Sequence, residues 1–225
     1  MSLILHLHPL SSFCHKVLMA LYENGTPFEP CTVNMMEPQA RAAYLNLSPF
    51  GKIPALEDTA RGRVVNEASI MIEYLQQHYP GPAKLIPNEA DAALNVRLWD
   101  RIVDTYLHYP MQRIVGDTLR PEGQRDPRGV EEARATIATA LDQIERQLAH
   151  HSFLTGDQFS LADCAAMPPL FYLQAIAPYA ASHPNISAYF ERMLERPCYA
   201  RALDGAKPFL KYFPFADALP SRFKA

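Results

Sequence analysis

Pro54 is the residue that most narrows the folds open to this chain. It lies in the segment SPFGKIPALED at 48–58, where Gly51 makes a turn, residues 53–56 form a short apolar run and a second turn cluster spans 58–62. Such a run reads as a strand, and a proline there has no N–H for the ladder, which restricts it to an edge, a strand start or a bulge. Ile53 therefore stands at a strand entrance with its main-chain groups unspent, and a cis Ile53–Pro54 bond is expected to turn them toward a ligand.

The flanking pattern places this strand in an α/β unit. Residues 3–7 read as a strand, and 13–23 as a helix with Phe13, Val17, Leu18 and Leu21 on its apolar face before the stop at Asn24-Gly25. Residues 28–33 read as a second strand. A strand, helix and strand this close together imply a right-handed crossover with parallel strands. Strands at 53–57 and 63–66 and a helix at 67–78, ended by Tyr79-Pro80, complete the order βαβ then ββα, a mixed sheet within residues 1–80.

Prolines 80, 82 and 87 bracket a linker at 81–87, after which strand signals vanish. Residues 88–225 read as an all-helical domain. Helices are expected at 90–115, kinked at Pro110, at 130–150 beyond a polar loop over 119–129, and from 160 onward under a capping box of Ser160 and Asp163. Shorter helices at 186–195 and 199–206 precede a tail rich in aromatics.

Charge excludes one broad class of partner. A net charge of -3 with interspersed signs leaves no basic face for nucleic acid. The start MSLILHLHPL lacks the basic flank and cleavage site of a secretory leader. Residues 164–182 carry no charge, yet Pro168, Pro169, Pro178 and Gln174 interrupt them, so a buried helix is expected and no membrane partner. Cys14, Cys31, Cys164 and Cys198 have neither C-x-x-C nor metal spacing, which fits a reducing cytoplasm without disulfides.

Four motifs in fixed order, SSFCHKV at 11–17, GKIPALED at 51–58, NEASIMIEYL at 66–75 and FLTGDQFSLAD at 153–163, together resemble the cytosolic glutathione transferase family. The likeness runs to about residue 206 and suggests a bacterial-type, serine-type-like member. It implies a thioredoxin-like N-terminal domain, an all-helical C-terminal domain and a homodimer. It also implies glutathione as co-substrate, with no metal, and a small hydrophobic electrophile as second substrate. By that resemblance Ile53 pairs with the cysteinyl part of glutathione beside a cis Pro54, Lys52 approaches the glycine carboxylate and Glu67 meets the γ-glutamyl amine. Ala68 departs from the family's usual serine, so the N–H groups of Ala68 and Ser69, or the Ser69 hydroxyl, are left to hold the α-carboxylate.

The thiol-activating residue is read from S-x-x-x-x-(R/K)-V, which matches Ser11 to Val17. Ser11 is the first candidate and Ser12 the second; either serine also suits a helix N-cap. Cys14 is a further candidate, for thiol–disulfide chemistry, against the reading of a small core residue. His15 is expected at the surface. His6 and His8 alternate on one strand face without a third ligand at matching spacing, which favours a structural role, and His150-His151 suits a helix C-terminus. Candidates for the electrophile pocket are Trp99, Tyr106, Tyr109, Met111 and Arg113 with Tyr212 and Phe213 from the tail, set against a core role for the aromatics. Two rival functions stay open: a non-catalytic binding or regulatory protein of this fold, and a glutathione-dependent thiol–disulfide oxidoreductase.

Overall fold

Alternation decides the first strand. In β1 (Leu3–Leu7) the residues Leu3, Leu5 and Leu7 are buried while Ile4 and His6 are only partly so, the period of two that sets one face of a sheet on a core. A computed structural model describes residues 2–224. The β1 leucines pack on Cys14, Val17, Leu18 and Leu21 of α1 (Ser12–Glu23) and on Met71 and Leu75 of α3 (Ala68–His78). A small separate cluster gathers Val33, Tyr44 and Ala55. The sheet order is β2-β1-β3-β4, with β2 (Glu29–Thr32) parallel to β1, β3 (Ala55–Asp58) antiparallel to β1 and β4 (Arg63–Val65) antiparallel to β3.

Two differences from the expected elements have clear causes. Helix α2 (Pro38–Leu45) fills a stretch that carried no expected element: Glu37 caps it by accepting from Ala40 N at 2.6 Å, and Pro38 occupies the first turn, where a missing N–H costs nothing. The expected kink at Pro110 is instead a change of winding. Helix α4 (Ala90–Val103) passes into a π turn at Asp104–His108 and then α5 (Tyr109–Thr118), with Pro110 in the first turn of α5. Such wide turns recur at functional sites.

Helix α6 (Pro127–Leu148) and helix α7 (Leu161–Ile176) form the centre of the helical part, and α7 is buried almost throughout. Ser160 N donates to Asp163 Oδ2 at 2.8 Å and Ser160 Oγ accepts from Ala162 N at 3.3 Å. Leu154 N and Tyr189 OH donate to the other Asp163 oxygen. After α8 (Pro184–Leu194) and α9 (Pro197–Ala206), the tail winds through short 3-10 turns and returns Phe213, Leu219 and Phe223 to the core. Helix α1 lies against α3 on one side and α7 and α9 on the other, so its first turn faces both parts of the molecule. No helix of the described residues is long and apolar enough to cross a membrane.

Candidate functional site

Two adjoining cavities meet at the start of α1. Ser11 lines both, and so does Gln112 of α5. The first is a cleft of about 160 Å³ bounded by Ser11, Lys52, Ile53, Pro54, Glu67 and Tyr109. The second holds about 420 Å³ and is mostly apolar, with Leu10, Met111, Val115, Tyr172, Tyr212 and Phe213 in its wall.

Ser11 is the N-cap of α1, and its Oγ accepts from Cys14 N at 3.3 Å. A hydroxyl that accepts still has a proton to donate. Among the described residues that proton has no protein acceptor, and the N–H groups of Ser12 and Phe13 are likewise unspent. The mouth of the cleft thus carries the free Ser11 O–H and the positive end of a 12-residue helix. Ser12 differs. Its Oγ lies 2.6 Å from His108 Nε2 and 3.3 Å from Gln112 Nε2, and it is nearly enclosed. Asp104 Oδ1 sits 3.6 Å from His108 Nδ1, which favours the proton on Nδ1 and makes Nε2 the acceptor for the Ser12 hydroxyl. Ser12 therefore spends its proton inside the protein.

On the opposite wall the Ile53–Pro54 peptide is cis. Tyr44 OH and Ser48 OH donate to Lys52 O at 2.6 and 2.8 Å, while neither main-chain group of Ile53 meets a protein partner among the described residues. Strand β3 begins at Ala55, two residues later than expected, because Pro54 has no N–H to give a ladder. Glu67 stands at the N-cap of α3 with φ 67°, a left-handed conformation for a non-glycine residue, and its carboxylate makes no cap bond. Such a backbone costs on the order of 1–3 kcal/mol and survives where surroundings impose it. The carboxylate is thereby left for the cleft, beside the unspent N–H groups of Ala68 and Ser69.

Several expected site residues lie elsewhere. The Ser69 hydroxyl donates to Asp100 Oδ2 at 2.8 Å and accepts from Lys16 Nζ at 2.9 Å, so it turns inward and cannot stand in for the serine missing at Ala68. Cys14 is wholly buried, and burial pushes its thiol up to about 12, which removes it from thiolate chemistry at neutral pH and with it the oxidoreductase reading. His15 is also buried rather than at the surface, its Nε2 donating to Pro9 O at 2.7 Å. Trp99 and Tyr106 line a separate cavity of about 510 Å³ against α6. Arg113 pairs with Asp126 at 3.1 Å and Glu132 at 3.6 Å, since it is two residues and roughly 200° around the helix from Met111. Tyr109, Met111, Tyr212 and Phe213 do reach the two cavities. His6 bonds Glu57 at 3.0 Å and His8 Nδ1 accepts from Leu10 N at 3.2 Å.

Sequence reasoning missed the polar seam behind the cleft. Lys16, fully buried, reaches Asp100 Oδ1 at 2.6 Å and Asp104 Oδ2 at 2.7 Å, tying α1 to α4 and the π turn. Burial raises the Asp100 carboxyl above its ordinary range, with the neighbouring Asp104 adding to the rise against Lys16. Burial pushes Asp104 the same way, but His108 and Lys16 outweigh it and hold that carboxyl low. Gln112 was missed too, although its place one residue after Met111 could have suggested it.

The comparisons with known proteins agree with this geometry. Residues 5–83 match the family described as glutathione S-transferase, N-terminal domain, and residues 127–192 the corresponding C-terminal domain. Glutathione S-transferase 3 of Zea mays is 31% identical over 203 residues, covering 87% of this chain and 90% of its own length. Glutathione S-transferase PARB of Nicotiana tabacum is 26% identical over 211 residues, with 91% and 98% coverage. Among solved structures, a glutathione S-transferase from Methylobacterium radiotolerans in complex with glutathione sulfonate superposes with a TM-score of 0.79 at 28% identity, covering 89% of this chain and 93% of that one. One from Methylobacillus flagellatus with glutathione bound reaches a TM-score of 0.83 at 24% identity, with 89% and 98% coverage. With both halves matched and the cleft lying where they meet, the chain belongs to the glutathione S-transferase family.

Proposed function

We infer that the protein is a glutathione transferase that seats the tripeptide between Ile53 and the start of α1 and presents its sulfur to a hydrophobic electrophile in the adjoining cavity. The observation that carries this reading is the position of Ser11: one free hydroxyl on the wall shared by both cavities. In the cleft, Ile53 pairs with the cysteinyl main chain next to Pro54, Lys52 takes the glycine carboxylate and Glu67 the γ-glutamyl amine. The N–H groups of Ala68 and Ser69, at the positive end of α3, take the α-carboxylate.

A thiol of ordinary pKa near 8.5 is only about 3% thiolate at neutral pH. Lowering it by about two units raises that share to roughly three quarters, a gain of about 25-fold. The Ser11 proton and the free N–H groups of Ser12 and Phe13 are placed to do this, because each stabilises negative charge at the helix start. Holding the electrophile beside the sulfur supplies the larger remaining factor, and Met111, Tyr212 and Phe213 form the surface for it.

Conjugation of glutathione to 1-chloro-2,4-dinitrobenzene tests the assignment. Ser11→Ala is expected to lose severalfold, with a ceiling of about 25-fold, in kcat/KM at neutral pH, and to raise the pKa of the bound thiol by up to about two units, since the N–H groups of Ser12 and Phe13 remain. Unchanged turnover in that variant would remove Ser11 from the mechanism.

We further propose a homodimer in the cytoplasm. Phe50, Ile70, Leu94, Leu98 and Tyr106 are large apolar side chains exposed in the single chain, a set suited to burial against a second copy. The four free cysteines suit a reducing compartment. Sedimentation at micromolar concentration checks the dimer.

A further inference from the structure

We propose that Ser12, His108 and Asp104 form a second reactive group, independent of glutathione, in which Ser12 accepts the acyl chain of a hydrophobic carboxylic ester. The argument begins with two buried atoms that lack partners. His108 Nδ1 and Asp104 Oδ1 make no hydrogen bond, yet they face each other at 3.6 Å across the π turn, so a shift of a few tenths of an ångström joins them. Apo geometry at a reactive group is commonly this loose. The other side of the same imidazole is already engaged, with Nε2 2.6 Å from Ser12 Oγ. Serine, imidazole and carboxylate thus stand in line, in the relation by which a base activates a hydroxyl nucleophile and a third group orients the base.

The surroundings hold each member in its role. Lys16 grips the second oxygen of Asp104 at 2.7 Å and is itself held by Asp100 at 2.6 Å, which keeps the Asp104 carboxylate ionised and fixed. Phe13 stacks on the His108 ring with centroids 3.7 Å apart and planes 8° off parallel, so the ring cannot turn away. Burial lowers the His108 pKa, against the pull of Asp104 and with the push of Lys16, so the ring is neutral at pH 7, the state a base requires. The remaining titratable neighbour, His15, is also kept neutral by burial. Ser12 in turn forms part of the wall of the 420 Å³ cavity, whose apolar lining by Leu10, Val115, Tyr172 and Phe213 suits an acyl chain.

The step balances without an external oxidant or reductant. Ser12 Oγ bonds to the ester carbonyl carbon as its proton passes to His108 Nε2, and the carbonyl π pair becomes an oxyanion met by the free N–H of Ser12, which lines the same cavity. Collapse breaks the ester C–O bond, and the departing alcohol takes the proton from Nε2. Water then attacks the acyl-serine with the same base, releasing the acid and restoring Ser12. Ser12 and His108 are catalytic in this scheme; Asp104 is a positioning residue.

The experiment incubates the full chain with 4-nitrophenyl butyrate in the absence of glutathione, follows 4-nitrophenolate release and maps the acylated peptide by mass spectrometry. A burst near one equivalent per chain with the butyryl group on Ser12 is expected. Ser12→Ala and His108→Gln are expected to lose at least about 100-fold in hydrolysis. No adduct in the wild-type protein, or an adduct on Lys or Cys31 alone, overturns the proposal without reference to any variant. So does hydrolysis in Ser12→Ala within twofold of wild type. Because glutathione is absent throughout, failure here leaves the transferase reading untouched, and failure of Ser11→Ala to impair conjugation leaves this one untouched.

Discussion

Replacing Lys16 by methionine removes one charge and keeps most of the volume, which isolates the electrostatic part of the seam between α1, α4 and the π turn. In the wild-type protein a single ammonium lies 2.6 Å from Asp100 and 2.7 Å from Asp104. Without it, two buried carboxylates face each other and one must take a proton to stay inside. Neutralising a carboxyl of ordinary pKa at pH 7 spans about three units, or roughly 4 kcal/mol, within the range of about 3–5 kcal/mol for a broken buried pair. That is a large share of a domain stability of about 5–15 kcal/mol. At pH 5 the same protonation costs only about 1.5 kcal/mol. In the variant the buried carboxyl is raised above its unfolded value, so its contribution is intact at low pH and is lost as pH rises. In the wild type Asp104 is held below its ordinary value, so its contribution is present above that value and is lost as pH falls. Both trends widen the gap with pH, while the raised Asp100 trims it. Urea unfolding of both proteins at pH 5 and pH 7 reads the difference directly. A loss that is the same at both pH values would show that Lys16 contributes packing alone and would refute the charge argument.

Three further outcomes follow from the same geometry. Ala68→Ser adds a hydroxyl at the start of α3 and is expected to tighten glutathione binding severalfold to tenfold, from about 0.5–1.5 kcal/mol, by calorimetric titration; unchanged affinity would mean that the α-carboxylate sits elsewhere. Cys14→Ala is expected to leave conjugation within twofold while lowering the melting temperature, since its buried thiol is neutral; a tenfold loss of turnover would contradict that. Asp163→Ala strands the donors of Ser160, Leu154 and Tyr189 and is expected to cost at least about 3 kcal/mol in urea unfolding; a loss under about 1 kcal/mol would show that solvent replaces the box.

Local chemistry made the sheet and the cleft legible in the amino-acid sequence. Pro54 after a glycine turn, alternating leucines at 3–7 and the Ser160 to Asp163 spacing each name their element through near neighbours. Helix α2 was also announced locally, by Glu37-Pro38, but its weak apolar periodicity hid it. The seam was illegible for another reason. Lys16 looks like a surface residue until chain topology brings Asp100 and Asp104 to it from more than 80 residues away. Helix phase explains the errors in the electrophile pocket: Arg113, Trp99 and Tyr106 have suitable chemistry but face away from Ser11, and only the crossing of α4, α5 and α6 shows it. Tyr212 and Phe213 were legible by type, not by destination, because irregular turns set their path.

The 420 Å³ cavity is walled by four segments far apart in the chain: residues 8–12, Met111 to Leu119 along α5 and just past its end, Tyr172 of α7, and Tyr212 to Pro214. The smaller cleft borrows nothing from the last two. Where the 420 Å³ cavity takes the electrophile as proposed, edits confined to 212–214 retune what the enzyme accepts without touching the cleft, and only Ser11 and Gln112 stand in both walls. Under that proposal a lineage drifts through many electrophiles along one short stretch while the cleft is kept.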